Sequence, residues 1–201
     1  MGNKADKFFK KFKTFLLNLK IYSQITDLSS VSRRYFVIGY FDGVLTIMGF
    51  VVGAHLSGKV TSELMIGAGF ATALALAISS GFGAYEAEIV EQHIRKREID
   101  KAMLREVGGI IESAHKVAIY VSAFVHAVAP LVGGLIPILP YLIFTPDVAY
   151  IYSLAIGFVS LFIVGFAFGK VAKMNVIISG LKFVLAGLLT LIAVTILHPI
   201  A

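Results

Sequence analysis

Five long segments of this chain contain almost no charged residues, and each is long enough to cross a lipid bilayer. They run from about 35 to 57, 64 to 85, 117 to 144, 148 to 169 and 176 to 197, and the only charges within them are Asp42 and Lys182. A transmembrane helix needs about 20 predominantly apolar residues to cross the hydrocarbon core. The pattern therefore predicts an all-α, polytopic membrane protein with five transmembrane helices, placed in the cell membrane.

Composition supports this class and excludes several others. Charged residues make up 15% of the chain, whereas soluble domains carry about 25%. Cysteine is absent, which excludes disulfides, thiolate metal sites and cysteine nucleophiles. The net charge of +6 is divided among stretches separated by spans, so we expect contact with anionic lipid and no nucleic-acid partner.

The distribution of lysine and arginine predicts the orientation of the chain. Eight precede the first span, six lie between the second and third, and three flank the connection from the fourth to the fifth. One lies between the first and second spans, and none between the third and fourth. Because cytoplasmic loops carry the excess of basic residues, we expect a cytoplasmic N-terminus and a C-terminus on the opposite side.

Two segments outside the five spans also show helical patterns. Residues 1–32 interleave lysines with phenylalanines and leucines, which favours an amphipathic helix lying on an anionic leaflet, although a partly disordered basic tail remains an alternative. The transmembrane domain then covers residues 33–201, with a cytoplasmic helical segment at about 86–116. Within it, we expect the second helix to continue to about Glu112, and Gly108-Gly109 offers a break before the third span begins. Its predicted apolar stripe comprises Ile89, Ile94, Ile99, Met103, Val107 and Ile110.

Asp42 is the residue that most strongly suggests a function. It lies about two helical turns inside the first predicted span, where a carboxylate is costly unless it is paired, protonated or in contact with water. Together with the Thr46 hydroxyl one turn further along, it provides oxygen ligands for a cation. The alternative is that Asp42 caps a neighbouring helix or pairs with Arg33 or Arg34.

The other candidate metal ligands are less specific. His126 is the only histidine well inside a span, and it is either a metal ligand or proton relay or a hydrogen-bonded packing residue. Ser80 lies in the second span with Thr72 and Ser79, where hydroxyls usually bridge helices. Glu88, Glu91 and Glu98 share one face of the predicted cytoplasmic helix and either collect divalent cations or form a solvated surface with Arg95.

Signatures of soluble enzymes are missing from the sequence. No HExxH, GxSxG or GxGxxG motif occurs, and Gly165 to Lys170 resembles a phosphate-binding loop only superficially. We therefore predict that the protein is not an enzyme, with no catalytic residues and no resident cofactor. A third hypothesis is an intramembrane enzyme in which Asp42 and His126 act as acid and base. No nucleophile or second acid in the spans supports it.

Three segments together resemble the vacuolar iron transporter family. They are residues 33–44, in which Asp42-Gly43 follows a short apolar run; residues 133–141, with Pro137 and Pro140; and residues 179–187, around Lys182. Their order and spacing extend the likeness over about residues 30 to 198. The short segment between the second and third spans is typical of a divergent, prokaryotic-type member.

The resemblance implies a homodimer that moves Fe²⁺, and often Mn²⁺, out of the cytoplasm against protons. By it, Asp42 matches the intramembrane aspartate that ligates the metal. Ser80 stands where the family usually has methionine, Ala84 where many members have glutamate, and Thr72 where some are acidic. These departures leave a harder site dominated by oxygen ligands.

The sequence thus predicts a proton-coupled exporter of divalent cations, an antiporter whose partners are the metal ion, protons, membrane lipid and a second copy of the chain. The metal is cargo and not a cofactor. The alternative is a membrane protein of the same fold that transports nothing and acts as a lipid-binding scaffold or partner subunit.

Overall fold

A computed structural model describes residues 21–58, 60–106 and 108–197, and the described residues contain helices and no strand. The five long helices are α1 (Leu28–Leu56), α2 (Ser62–Met103), α3 (Ile110–Ile138), α4 (Pro146–Val171) and α5 (Val176–Leu197), with a 3₁₀ turn at Leu139–Leu142 after α3. All five are long and apolar enough to cross a membrane. The predicted fold class is confirmed. Most of the predicted helix at 1–32 lies outside the described residues.

Local sequence signals explain where these helices begin. The Thr61 side chain accepts a hydrogen bond from the Leu64 backbone N–H at 3.2 Å and caps α2. Asn175 Oδ1 accepts bonds from the backbone N–H groups of Ile177 and Ile178 at the start of α5. Pro146 occupies the first turn of α4, where its missing N–H costs nothing.

The second helix extends beyond its span as predicted, but it ends earlier. It stops at Met103, where Leu104 adopts a left-handed backbone conformation (φ 53°) and closes the helix, and the predicted end at Glu112 is wrong. Of the predicted apolar stripe, Ile94, Met103 and Ile110 are exposed, whereas Ile89 and Ile99 are half-buried. Val107 lies outside the described residues. The residues that this extension buries are Glu88 and Gln92.

Helix α1 is the centre of the bundle, since it contacts each of the other four long helices. Its most extensive contact is with α3, which also packs along α2, while α4 and α5 form a second pair. Val44, Ile47, Met48 and Val51 of α1 are fully buried between these neighbours.

Glycines allow α1 and α3 to approach with their backbones in contact. A Cβ on Gly43 would overlap the Pro130 carbonyl group, and a Cβ on Gly133 would overlap the carbonyl oxygen of Tyr40. Small residues at a helix crossing permit this close packing in membranes, where no hydrophobic force draws helices together. The contact fixes the part of α1 on which Asp42 lies.

Candidate functional site

Asp42 lies at the midpoint of α1, about 21 Å from either end of the helix. Its side chain is exposed on the surface of the single chain, although its neighbour Gly43 is buried against α3. Asp42 forms no ion pair or hydrogen bond with any residue that the structure describes. It is therefore not paired with Arg33 or Arg34, the alternative considered from the sequence.

His126 of α3 lies beside α1 near Asp42. Its Nδ1 donates a hydrogen bond to the backbone carbonyl oxygen of Tyr35 at 2.9 Å, and its ring lies 4.9 Å from the Tyr35 ring, measured between centroids. Gly39 leaves room for the imidazole, since a Cβ at that position would lie 3.1 Å from Nδ1. The imidazole is also within electrostatic reach of the Asp42 carboxylate.

Pro130 affects the backbone carbonyl of His126. Proline has no backbone N–H, so Pro130 cannot donate the helical hydrogen bond to the carbonyl of His126, four residues earlier. Helix α3 nevertheless continues through Pro130 without interruption. The histidine that approaches Asp42 therefore also carries a backbone carbonyl without its usual helical donor.

Glu88, Gln92 and His115 form a buried polar cluster between the extension of α2 and the start of α3. Their exposed fractions are 2%, 3% and 6%. The Gln92 side chain makes two hydrogen bonds. Its Nε2 donates to Glu88 Oε2 at 2.9 Å, and its Oε1 accepts a short hydrogen bond from His115 Nδ1. Because the carboxylate orients the amide, His115 carries its proton on Nδ1, and its buried Nε2 has no partner among the described residues.

The hydroxyl of Tyr35 is within electrostatic reach of the Glu88 carboxylate. Tyr35 thereby connects the two groups of polar residues, since its carbonyl bonds to His126 and its side chain approaches Glu88. The result is a discontinuous series of polar side chains from the middle of α1 to the extension of α2. In order, its members are Asp42, His126, Tyr35, Glu88, Gln92 and His115.

The remaining predicted carboxylates do not share the environment of Glu88. Glu91 is exposed and forms an ion pair with Arg95 at 2.9 Å, and Glu98 is exposed further along α2. The structure therefore divides the predicted row of three carboxylates into one buried and two solvated members. An exposed i,i+4 ion pair such as Glu91–Arg95 contributes little to stability.

The predicted hydroxyl ligands lie on different helices. Thr46 is half-buried one turn after Asp42, and Ser80 is half-buried on α2 beside Gly81. Gly81 packs on Ala127 of α3, next in sequence to His126. Thr72 bonds to the Ala68 carbonyl of its own helix at 2.8 Å.

Within one chain, the structure does not gather the predicted ligands into a single centre. Among the described residues, no group of three or more histidine, aspartate or glutamate side chains is placed to hold a metal ion. Of the predicted set, His126 is within electrostatic reach of Asp42, whereas Glu88, Glu91 and Glu98 lie on the extension of α2. The ligand set remains a prediction.

Sequence reasoning overlooked Gln92, His115 and Tyr35. Gln92 follows Glu88 by four residues and therefore lies on the same helical face, which is a usable signal once the helix is extended. His115 precedes the predicted start of the third span, so it was assigned to a connection and not to a packed helix. Tyr35 carries no signal beyond its position seven residues before Asp42.

Comparison with known sequences decides the family. The profile of the VIT family matches residues 33–102 and 86–197, which together cover most of the chain and include residues of all five long helices. The chain belongs to the VIT family. Membership in this family, combined with five apolar helices, points to membrane transport of metal ions rather than to enzymatic activity.

A curated archaeal relative supports the assignment to a divergent prokaryotic branch. The chain is 32% identical over 159 residues to an uncharacterized protein of Methanocaldococcus jannaschii, and the match covers 77% of this chain and 82% of the relative. In this VIT-family chain, Asp42 lies within the first matched stretch and His126 lies within the second. The candidate site is therefore part of the region that defines the family.

Proposed function

We propose that this VIT-family protein exports divalent cations, Fe²⁺ or Mn²⁺, from the cytoplasm in exchange for protons. The observation that carries the proposal is the Asp42 carboxylate at the midpoint of α1, which has no ion pair or hydrogen bond with the described residues. A carboxylate at that depth is stable when it binds a proton or a cation. Alternating between those two states is the chemistry that an antiporter requires.

The exposure of Asp42 supports a site completed by a second copy of the chain. An acidic side chain on the lipid-facing surface of a bundle is unfavourable, and ionisable residues in membranes face other helices or water. Pairing two copies along this face of α1 would bring two Asp42 carboxylates together, with Thr46 nearby. Two carboxylates and hydroxyl oxygens suit a hard divalent cation.

In the proposed cycle, ionised Asp42 binds a cation that enters from the cytoplasm. Protons arriving from the opposite side then protonate the carboxylates, which removes their charge and releases the cation. His126 lies close enough to Asp42 to influence this exchange. Glu91 and Glu98 are solvated carboxylates that attract cations to the cytoplasmic mouth, and Glu88 links this mouth to Tyr35.

Ion flux into proteoliposomes tests the proposal. The purified protein would be reconstituted, and uptake of Fe²⁺, Mn²⁺ and Ca²⁺ would be measured with and without a pH gradient, together with the accompanying proton movement. We expect gradient-dependent flux in the wild type and near-complete loss in Asp42→Asn. Asp147→Asn, which changes an exposed aspartate at the start of α4, is the matched control and should behave as wild type.

Equal flux in wild type and Asp42→Asn would remove Asp42 from the mechanism. Absence of flux in the wild type for all three ions, with the protein folded, would instead favour the non-transporting scaffold. Metal analysis of the purified wild type against Asp42→Asn separates binding from transport.

A further inference from the structure

An apolar groove of about 340 Å³ lies between the beginning of α1 and the end of α4. This volume falls in the range of about 300–1,000 Å³ that is typical of small-molecule sites. Its walls are mainly hydrophobic, and two arginines on α1 provide its charge. The lining residues are Ser30, Arg33, Arg34, Phe36, Val37, Ala167, Phe168 and Val171.

Both arginines are available for an anionic ligand. They are exposed, and neither forms an ion pair with a carboxylate in the described part of the chain. Arg33 Nε donates to the Ser29 carbonyl at 3.2 Å, and the Arg34 guanidinium lies 5.8 Å from the centroid of the Tyr35 ring. Within the described residues, these contacts leave several N–H donors on each guanidinium unused.

The groove lies at the basic end of the bundle, where the polar headgroups of a bilayer are expected. Arg33 and Arg34 precede the charge-poor part of α1, while Lys170 and Lys173 follow Phe168 along the chain at the end of α4. A ligand here meets an apolar wall on the membrane side and positive charge at the interface. This arrangement matches a phospholipid with a negatively charged headgroup.

We propose that this groove binds one anionic phospholipid per chain, with an acyl chain along the wall formed by Phe36, Val37 and Phe168 and the phosphate at Arg33 and Arg34. Residues 1–20 of the same chain are the other available occupant. They carry six lysines and one aspartate, so their charge repels the arginines and favours the lipid.

Native mass spectrometry of the intact, detergent-solubilised chain tests the proposal by counting retained lipids. The probes are phosphatidylglycerol and phosphatidylcholine, titrated separately. We expect the wild type to retain one phosphatidylglycerol more tightly than phosphatidylcholine. The double variant Arg33→Gln/Arg34→Gln should weaken phosphatidylglycerol binding about tenfold or more, since each basic residue near the headgroup contributes appreciably.

The matched control removes the same charge elsewhere on the basic side. Arg97→Gln/Arg105→Gln changes two exposed arginines that do not line the groove, and it should retain lipid as the wild type does. Equal loss in both double variants would overturn the proposal in favour of general electrostatic attraction. Equal retention of both lipids by the wild type would overturn it too.

A second pair of variants tests the apolar part of the groove without changing charge. Ala167→Phe fills the groove and should lower retention, whereas Ala155→Phe adds the same side chain at an exposed position on α4 outside it. Unchanged retention in Ala167→Phe contradicts the proposed site.

Two further measurements separate the lipid from other occupants. Displacement of phosphatidylglycerol by inorganic phosphate would show a free-anion site instead of a lipid site. Deletion of residues 1–20 should leave retention unchanged, and lipid binding that appears only after this deletion would identify that segment as the native occupant.

Discussion

The imidazole of His126 donates a 2.9 Å hydrogen bond to the backbone carbonyl oxygen of Tyr35, and this bond joins α3 to α1 two helical turns before Asp42. The bond orients the histidine, because the carbonyl fixes the proton on Nδ1 and leaves Nε2 as the acceptor. His126 is thus a hydrogen-bonded residue at the α1–α3 contact, as one reading of the sequence proposed. A role for His126 in proton or metal handling stays a prediction.

Replacing Gly43 with alanine should destabilise the protein. The added Cβ would overlap the backbone of Pro130, and overpacking of this kind costs about 1–3 kcal/mol. Gly49→Ala on the same helix is the control, since a Cβ there meets Thr190 and Val194 at ordinary distances of 3.6 and 3.7 Å. Thermal unfolding in detergent measures both, and equal midpoints would contradict the close backbone contact.

Replacing Gln92 with leucine should also lower stability. The change removes the donor to the buried Glu88 carboxylate and the acceptor for His115 Nδ1, and each unsatisfied buried group costs about 1–3 kcal/mol. Glu91→Gln, one position away but exposed, should change the free energy of unfolding by less than about 0.5 kcal/mol. If the two variants unfold alike, the cluster does not contribute as the hydrogen bonds indicate.

The absence of cysteine makes the orientation directly measurable. In intact cells, a membrane-impermeant maleimide should label Ser57→Cys, after α1, and should label Arg105→Cys, between α2 and α3, only after the membrane is opened. The expectation follows from the excess of basic residues on the N-terminal side. The reverse labelling pattern would place the N-terminus outside and contradict export from the cytoplasm.

Single cysteines also test whether two copies meet along the Asp42 face of α1. Ile38 lies one turn before Asp42 and is 50% exposed, and Ile163 on α4 is 58% exposed. We expect oxidation to link two copies of Ile38→Cys and not two copies of Ile163→Cys. Covalent dimers are counted on non-reducing gels. If only Ile163→Cys forms them, the interface between the two copies lies elsewhere.

Sequence alone predicts the five helices because each span must satisfy its backbone hydrogen bonds internally and exceed a minimum apolar length. The end of α2 was not predictable, since Leu104 adopts a left-handed conformation that leucine seldom signals. The Glu88–Gln92–His115 cluster was hidden for a different reason. It depends on α2 and α3 packing beyond their apolar segments, which hydropathy does not report.

Asp42 was predictable as a candidate, and its exposure on the single chain was not. An acidic residue in a span identifies itself by its cost in lipid, whereas the direction in which it faces depends on how α1 packs. The side of α1 that faces the bundle carries the buried residues Gly39, Tyr40 and Gly43, whereas Asp42 lies on an exposed side. The candidate site thus follows from the sequence only up to the identity of its central residue.

The glycine contacts between α1 and α3 limit how the protein can move. At Gly43 and Gly133 the main chains of the two helices approach so closely that even an added Cβ would overlap the neighbouring backbone, which opposes rotation of one helix against the other. If the transport cycle proposed above operates, we expect opening of the Asp42 region to either side of the bilayer to displace the α1–α3 pair as one unit against its surroundings. The surfaces that move against each other would then be those between the α1–α3 pair and the other helices, and not the contact between α1 and α3.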